Sequence, residues 1–433
     1  TRSAVAEFSP PLSMGSPNNQ LGNDPETSAA SGTPQFPNLW ANIVGYDTLK
    51  VYGDAYQGHD CSKGQGVVPD NCSGAAPNQN VDYTSDGYYY TVRTAAGTTG
   101  TVSIQVFDPG FVEVGNTCGT NVDNNHLQDA AKLPPNFNAI FPVADPSTRY
   151  QTGAGRWCAG DNLEASGPPP GTTYRVWGPA LNPGDPKGAP LVCTVKFPGE
   201  AGGALSQLLK ATTPANGAPA ALVKYFRQWY TLPGCSFAAT GNTGDYFVQV
   251  TTGQGPGNGE NRFALRAALG TDTHTNAIGV FGNARMSIMA NVGGAKTTFN
   301  LARVLPGASG RTLVLNFFDI GDGSPSPGTL TVEPPAGNVF NTCTYTDPTV
   351  SDPNSPWGRR TPTGTVCKIA GVTSSGFQGQ WVQMRVPIRD DYSCDATKAL
   401  DCWVTISYDF PAGITDTTSW TAYVDGDPVR LVK

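Results

Sequence analysis

The residues best placed to do chemistry are Asp319 and Asp322, in the run Thr312–Gly323, TLVLNFFDIGDG. Both acids sit in a turn with Gly321 and Gly323. Calcium takes several oxygen ligands, from carboxylates and from the carbonyls of such turns. The pair is therefore a candidate calcium site, of the weak extracellular type. The competing reading is a turn in which each Asp bonds nearby backbone N–H groups. Asp108 holds the matching place in a second run, Thr101–Gly110, TVSIQVFDPG, but Phe111 stands where the second acid would be. A further cluster, Asp123, Asn124, Asn125 and Asp129, lacks the glycine and closing Glu of an EF-hand and reads as a solvated loop. His59, His126 and His274 lie far apart in polar surroundings and read as exposed. There is no G-x-S-x-G, no H-E-x-x-H and no P-loop, and glutamate is scarce. The expectation is a protein that recognises without turnover.

Aromatic rings can stack on sugars, and Tyr88, Tyr89, Tyr90, Trp229, Tyr230, Trp381 and Trp403 are the candidates for that. Strand alternation sends about half of such rings into a core. A glycan-binding pair of β modules is thus the alternative function.

Ten cysteines carry the remaining chemistry. Cys61, Cys72, Cys118, Cys158, Cys193 and Cys235 precede the glycine-rich run Gly253–Gly259; Cys343, Cys367, Cys394 and Cys402 follow it. Both sets are even, as separately bridged domains require. No CxxC pair exists and histidines are few, which argues against zinc and for disulfides in an oxidising, extracellular compartment. Spacing does not fix connectivity. Sequence neighbours are the simplest pairing: Cys61–Cys72, Cys118–Cys158, Cys193–Cys235, Cys343–Cys367 and Cys394–Cys402. Each closed loop is expected to stabilise by about 2–4 kcal/mol.

The elements that must position these residues are short strands. Leu313–Val314–Leu315 and Phe317–Phe318 form a buried strand running into the Asp319 turn. TVSIQVF does the same before Asp108. Upstream, YYYTVR (Tyr88–Arg93) and TFNLAR (Thr298–Arg303) precede the two copies across a glycine turn, and downstream each reaches Asn-Thr-Cys. A match this long points to a duplicated domain. Further strands are expected at Leu39–Val44, Val51–Tyr56, Tyr174–Trp177, Leu191–Phe197, Asp245–Val250, Arg262–Ala267, Arg285–Ala290, Thr329–Val332, Trp381–Val386, Trp403–Tyr408 and Ser419–Val424. Only Ala204–Lys210 and Ala220–Trp229 read as helical. The expected organisation is an extended arm over 1–37, a first β-sandwich over 38–252, a linker over 253–259 and a second β-sandwich over 260–433. Two tandem antiparallel sandwiches of this strand number favour a jelly roll. An immunoglobulin-like strand order is not excluded by the spacing.

With 433 residues the chain has room for two cores. Gly 52 and Pro 37 mark many turns, while 10% aromatics exclude a disordered chain. A net charge of −7 with only 14% charged residues favours neither nucleic acid nor an anionic membrane as partner. No stretch approaches the roughly 20 apolar residues of a membrane span, and no signal peptide opens the chain, so it reads as a mature or trimmed ectodomain.

Several phrases resemble the secreted portions of TadG-like proteins of the Tad (tight adherence, or Flp) pilus-assembly systems of Actinobacteria and related bacteria. They are Ser16–Gly22, Leu39–Gly45 with Tyr52–Tyr56, Asn261–Ala267, Met286–Asn291 and Ser419–Val432. The resemblance implies a surface-exposed, pilus-associated protein whose partners are other pilus or surface proteins, or further copies of itself. It brings no active-site residues. Asp322–Ser326 also spells D-x-S-x-S, the metal-site pattern of von Willebrand A domains, which some TadG-like proteins carry. Pro325 and Pro327 stand where that domain needs a helix, so the pattern is set aside.

Overall fold

The computed structural model describes residues 5–8, 11–23, 39–60, 78–80, 82–113, 161, 168–200, 225, 228–239, 241, 244–292, 296–321, 326–340, 342–349, 360–362, 367–411, 414–425 and 429–432. Short β-branched and aromatic runs between glycine turns become strands almost throughout. The first are β1 (Val5–Phe8), β2 (Ser13–Met14), β3 (Gln20–Leu21), β4 (Trp40–Val44), β5 (His59–Asp60) and β6 (Asn78–Gln79). Then come β7 (Tyr88–Thr94), β8 (Thr101–Phe107), β9 (Thr172–Ala180), β10 (Leu191–Phe197), β11 (Trp229–Ala238), β12 (Asp245–Thr251), β13 (Glu260–Leu269) and β14 (Ile278–Asn283). A second series follows: β15 (Arg285–Val292), β16 (Thr297–Arg303), β17 (Thr312–Phe318), β18 (Gly328–Glu333), β19 (Thr344–Thr346), β20 (Arg360–Pro362) and β21 (Cys367–Val372). It ends with β22 (Trp381–Pro387), β23 (Trp403–Asp409), β24 (Ile414–Asp425) and β25 (Val429–Val432).

The pairings reveal the same fold twice. In the first copy one sheet runs β7–β12–β9–β10 and the other β4–β13–β8–β11. In the second copy the corresponding orders are β16–β23–β18–β21 and β15–β24–β17–β22. Numbered within each copy, both read 2-7-4-5 and 1-8-3-6. That is two antiparallel sheets of four, wound as a jelly roll. The immunoglobulin-like order is thereby removed. YYYTVR and TFNLAR occupy the second strand of each copy, and TVSIQVF and TLVLNFF the third. β19 and β20 extend the outer edge of the second copy beyond β22.

The rolls stand side by side, so their sheets join. In one sheet β4 pairs directly with β15, with Ala41 opposite Ile288. In the other, β14 and β2 fill the gap between β7 and β16. Met14 pairs with Gly282 on one side and Ala302 on the other. A single hydrophobic cluster runs between the sheets through both copies, from Tyr90, Tyr174 and Phe263 to Leu315, Ile369 and Trp420.

This corrects three expectations. The run 253–259 joins β12 to β13 inside the first roll, because β13 pairs with β8 and β4; the boundary falls after Leu269. The arm over 1–37 is partly built into the sheets: β2 bridges the rolls, β3 pairs with β13, and β1 pairs with β25. Val51–Tyr56 is not a strand; a 3-10 turn over Lys50–Tyr52 ends at Gly53, whose φ is 101°. Of the two helical expectations, Ala204–Lys210 lies outside the described residues, and Trp229, at the end of the other, opens β11.

Three disulfides lie among the described residues. Cys193–Cys235 joins β10 to β11, the outer edge strands of the first roll's two sheets. Cys343–Cys367 links the two sheets at the far end, joining the residue before β19 to β21. Cys394–Cys402 staples the loop between β22 and β23. Cys61, Cys72, Cys118 and Cys158 lie outside the described residues. No described helix is long and apolar enough to cross a membrane.

Candidate functional site

The Asp turns come first. Asp108 and Asp319 end the third strand of their rolls, and both are left-handed, with φ of 56° and 61°. Asp tolerates that region better than most residues because its short side chain bonds locally. Both are buried. Each donates its N–H to a glutamine carbonyl from the sixth-strand side, Gln228 at 3.4 Å and Gln380 at 3.0 Å. The repeated Phe-Asp phrase is thus a chain reversal. Asp319 Oδ1 accepts the Gly379 N–H at 2.8 Å, and its carbonyl accepts the Thr418 hydroxyl at 3.0 Å. Asp322 lies outside the described residues, so the calcium expectation retains only Asp319, whose carboxylate serves the turn. Among the described residues no three His, Cys, Asp or Glu side chains come together as a metal site. Asp319→Ala is expected to lower stability by about 1–3 kcal/mol, the cost of orphaning a buried N–H. Asp319→Asn, which keeps the acceptor and the tolerance for positive φ, should stay close to wild type when both variants are unfolded in urea.

In the first roll the turn leads into a buried polar knot. Asp161 accepts the N–H groups of Val112 (2.7 Å) and Arg262 (2.8 Å). Burial, then the neighbouring Asp108 charge, push the Asp161 carboxyl well above its ordinary range. Arg262 pairs with Glu260, both side chains being 1% exposed. Asn261 donates to the Pro109 carbonyl and to Thr172, and the Tyr174 hydroxyl meets the same carbonyl. These groups hold strand ends together around the start of β13.

A shallow cleft opens where the loops after β4 and before β7 converge, lined by Tyr46, Asp54, Tyr56, Tyr83, Tyr88 and Thr252. Tyr88 donates to Asp54 Oδ1 at 2.5 Å, and the Tyr56 N–H reaches the same oxygen at 2.9 Å. Burial raises the Asp54 carboxyl; the bonds from Tyr88 and Tyr56 and the charges of Arg285 and Lys50 oppose it. Burial pushes Tyr56 up to about 12 and Tyr88 well above its usual value. Tyr56 and Tyr88 therefore stay protonated near neutrality, and the Asp54 carboxyl is already engaged. The same loop ties the rolls together: Ser419 donates to the Gly53 carbonyl and accepts the Ala55 N–H, and Tyr56 meets Trp381 edge-on.

The seven candidate sugar-stacking rings do not form an open platform. Tyr88, Tyr90 and Trp403 are buried. Tyr89 and Trp229 are half-buried, Tyr89 against Phe247 and Trp229 beneath the Arg266 guanidinium at 4.0 Å. Tyr230 packs on Phe197, and Trp381 on Phe318. His274 is exposed; Asp123, Asn124, Asn125, His126 and Asp129 lie outside the described residues.

Sequence reading expected the Cys394–Cys402 staple but missed the loops fixed around it at the end of the second roll. The Cys394–Cys402 loop is held from within by Arg303, whose guanidinium donates to the carbonyls of Ala396, Lys398 and Asp401. Trp403 donates to the Ala399 carbonyl beneath it. Val304 bonds the Cys402 carbonyl, and Asn338 exchanges two bonds with Ser393. Three loops are thus fixed to one another, and they expose Leu305 (46%), Val339 (61%) and Leu400 (71%). Isolated exposed apolar side chains are ordinary; here two leucines and a valine stand on loops that are fixed to one another. The one sequence signal was the close Cys394–Cys402 spacing. No family model, curated protein or solved structure matches the chain.

Proposed function

We propose that the chain is a non-catalytic extracellular surface protein associated with a pilus or filament, acting in its assembly or in adhesion. The observation that carries this reading is the stapled end of the second roll, where a disulfide and the Arg303 hydrogen bonds hold Leu305, Val339 and Leu400 in water. A rigid apolar surface loses little entropy on docking, which is what a recognition surface needs. The segments resembling TadG-like ectodomains point the same way. The glycan alternative has less support, because its aromatic residues are taken up by packing.

Binding of the purified chain to filaments sheared from producing cells tests the reading. Leu400→Asp should weaken co-sedimentation about tenfold, as loss of a central apolar contact does, with the thermal melt unchanged. Undiminished binding by both Leu400→Asp and Val339→Asp would remove this surface from the account.

A further inference from the structure

Lys50 lies on the 3-10 turn Lys50–Tyr52, and Asn80 directly follows β6. Both side chains are buried, at 4% and 2% exposure. Lys50 Nζ is 3.4 Å from Asn80 Oδ1 and 3.0 Å from Asp82 Oδ2. The rings of Phe318 and Trp381 lie beside the amine, with centroids 5.3 Å and 5.9 Å away. The Asp82 N–H donates to Asn80 Oδ1 at 3.0 Å. The Asn80 Nδ2 donates to the carbonyls of Ala55 (2.8 Å) and Gln57 (2.9 Å), which fixes the plane of the amide. A buried amine therefore rests against a buried, immobilised carboxamide. Its oxygen already holds a backbone donor, and a carboxylate is within reach of the amine.

We propose that Lys50 and Asn80 join in an intramolecular isopeptide bond. The Lys50 ammonium gives one proton to Asp82, and the freed electron pair on Nζ attacks Asn80 Cγ. The carbonyl pair moves onto Oδ1, where the Asp82 N–H stabilises the developing charge as an oxyanion donor does. The pair returns, the Cγ–Nδ2 bond breaks, and Nδ2 takes the second Nζ proton. The amide nitrogen departs as ammonia and carries off the proton held by Asp82 as ammonium. One C–N bond forms, one breaks, the charge balances, and nothing is oxidised or reduced. Positioning replaces an external catalyst, because fixed neighbours react as if at very high concentration. Asp82 acts as the proton carrier. The bond would join residues 30 apart in sequence, beside the loop that holds the two rolls together.

Mass spectrometry of the full chain, reduced and alkylated, tests this. The expected wild-type mass is lower than the sequence mass by one ammonia. Tryptic digestion should yield a branched peptide containing Lys50 and Asn80, uncut after Lys50. Lys50→Arg should return the mass to its sequence value, and Asp82→Ala should leave most of the chain unlinked. A wild-type chain at full sequence mass, with cleavage after Lys50, would overturn the proposal. So would loss of ammonia with Lys50 still cleavable, which is the mark of a cyclic imide at Asn80.

Discussion

Replacing Arg262 by methionine is expected to destabilise the folded chain by about 3–5 kcal/mol. The Glu260–Arg262 pair lies at the start of β13, with both side chains 1% exposed. A buried carboxylate without its cation must either stay charged in a poorly solvating interior or take up a proton, and both are costly. The knot around it offers little relief, since Asp108 and Asp161 already place carboxyl groups nearby. The Arg262 N–H to Asp161 survives the substitution, so the loss reports on the side chain. Urea titration with the disulfides intact should show a lower midpoint at unchanged slope. The double variant Glu260→Leu with Arg262→Met should regain most of the loss, because an apolar pair of similar volume needs no desolvated charge. Equal losses in the single and double variants would mean that packing, and not the ion pair, is at stake.

Gly53→Ala is expected to cost about 2–4 kcal/mol, from backbone strain and overpacking together. The residue has φ of 101°, which an L side chain rarely adopts, and an added methyl would meet the backbone carbonyl of Thr417. Backbone cannot rotate away as a side chain can. The loop would have to lift, and lifting breaks the bonds of Ser419 to Gly53 and Ala55. It also separates Tyr56 from Trp381. Because the β4–β15 pairing and the shared core also join the rolls, the chain should still melt in one transition, at a lower temperature. Gly97→Ala serves as a control for strain alone, since its φ is also positive but nothing lies within 4 Å of the added methyl. It should cost about 1–2 kcal/mol, the left-handed penalty by itself.

The parts of the fold legible in the sequence were those where local pattern and tertiary context agree. TVSIQVF alternates and TLVLNFF is a short buried run, but both end on Phe-Asp before a glycine turn, so their equivalence could be read before any coordinates. The duplication followed, but the jelly-roll winding was a preference from strand number that only the strand pairing separates from an immunoglobulin-like order. The boundary between the rolls was not legible. The run 253–259 has the glycine content of a linker, yet it serves as a turn inside the first roll. Only long-range pairing of β13 with β8 reveals this. β11 was hidden because Pro233 and Gly234 interrupt its pattern, and the preceding residues have helical composition. β2 and β3 are two residues each and carry no periodic signal. At the candidate surfaces, composition named the aromatic residues but not their burial. The stapled end depends on Arg303 and Asn338 meeting loops far away in sequence, which no local pattern encodes.

Immunogold electron microscopy of producing cells, with an antibody raised against the second roll, tests the central claim most directly. The account predicts gold particles along surface filaments, with the density falling when Leu400→Asp replaces the wild-type chain. Filaments bare of gold, with label spread evenly over the cell body, would contradict it.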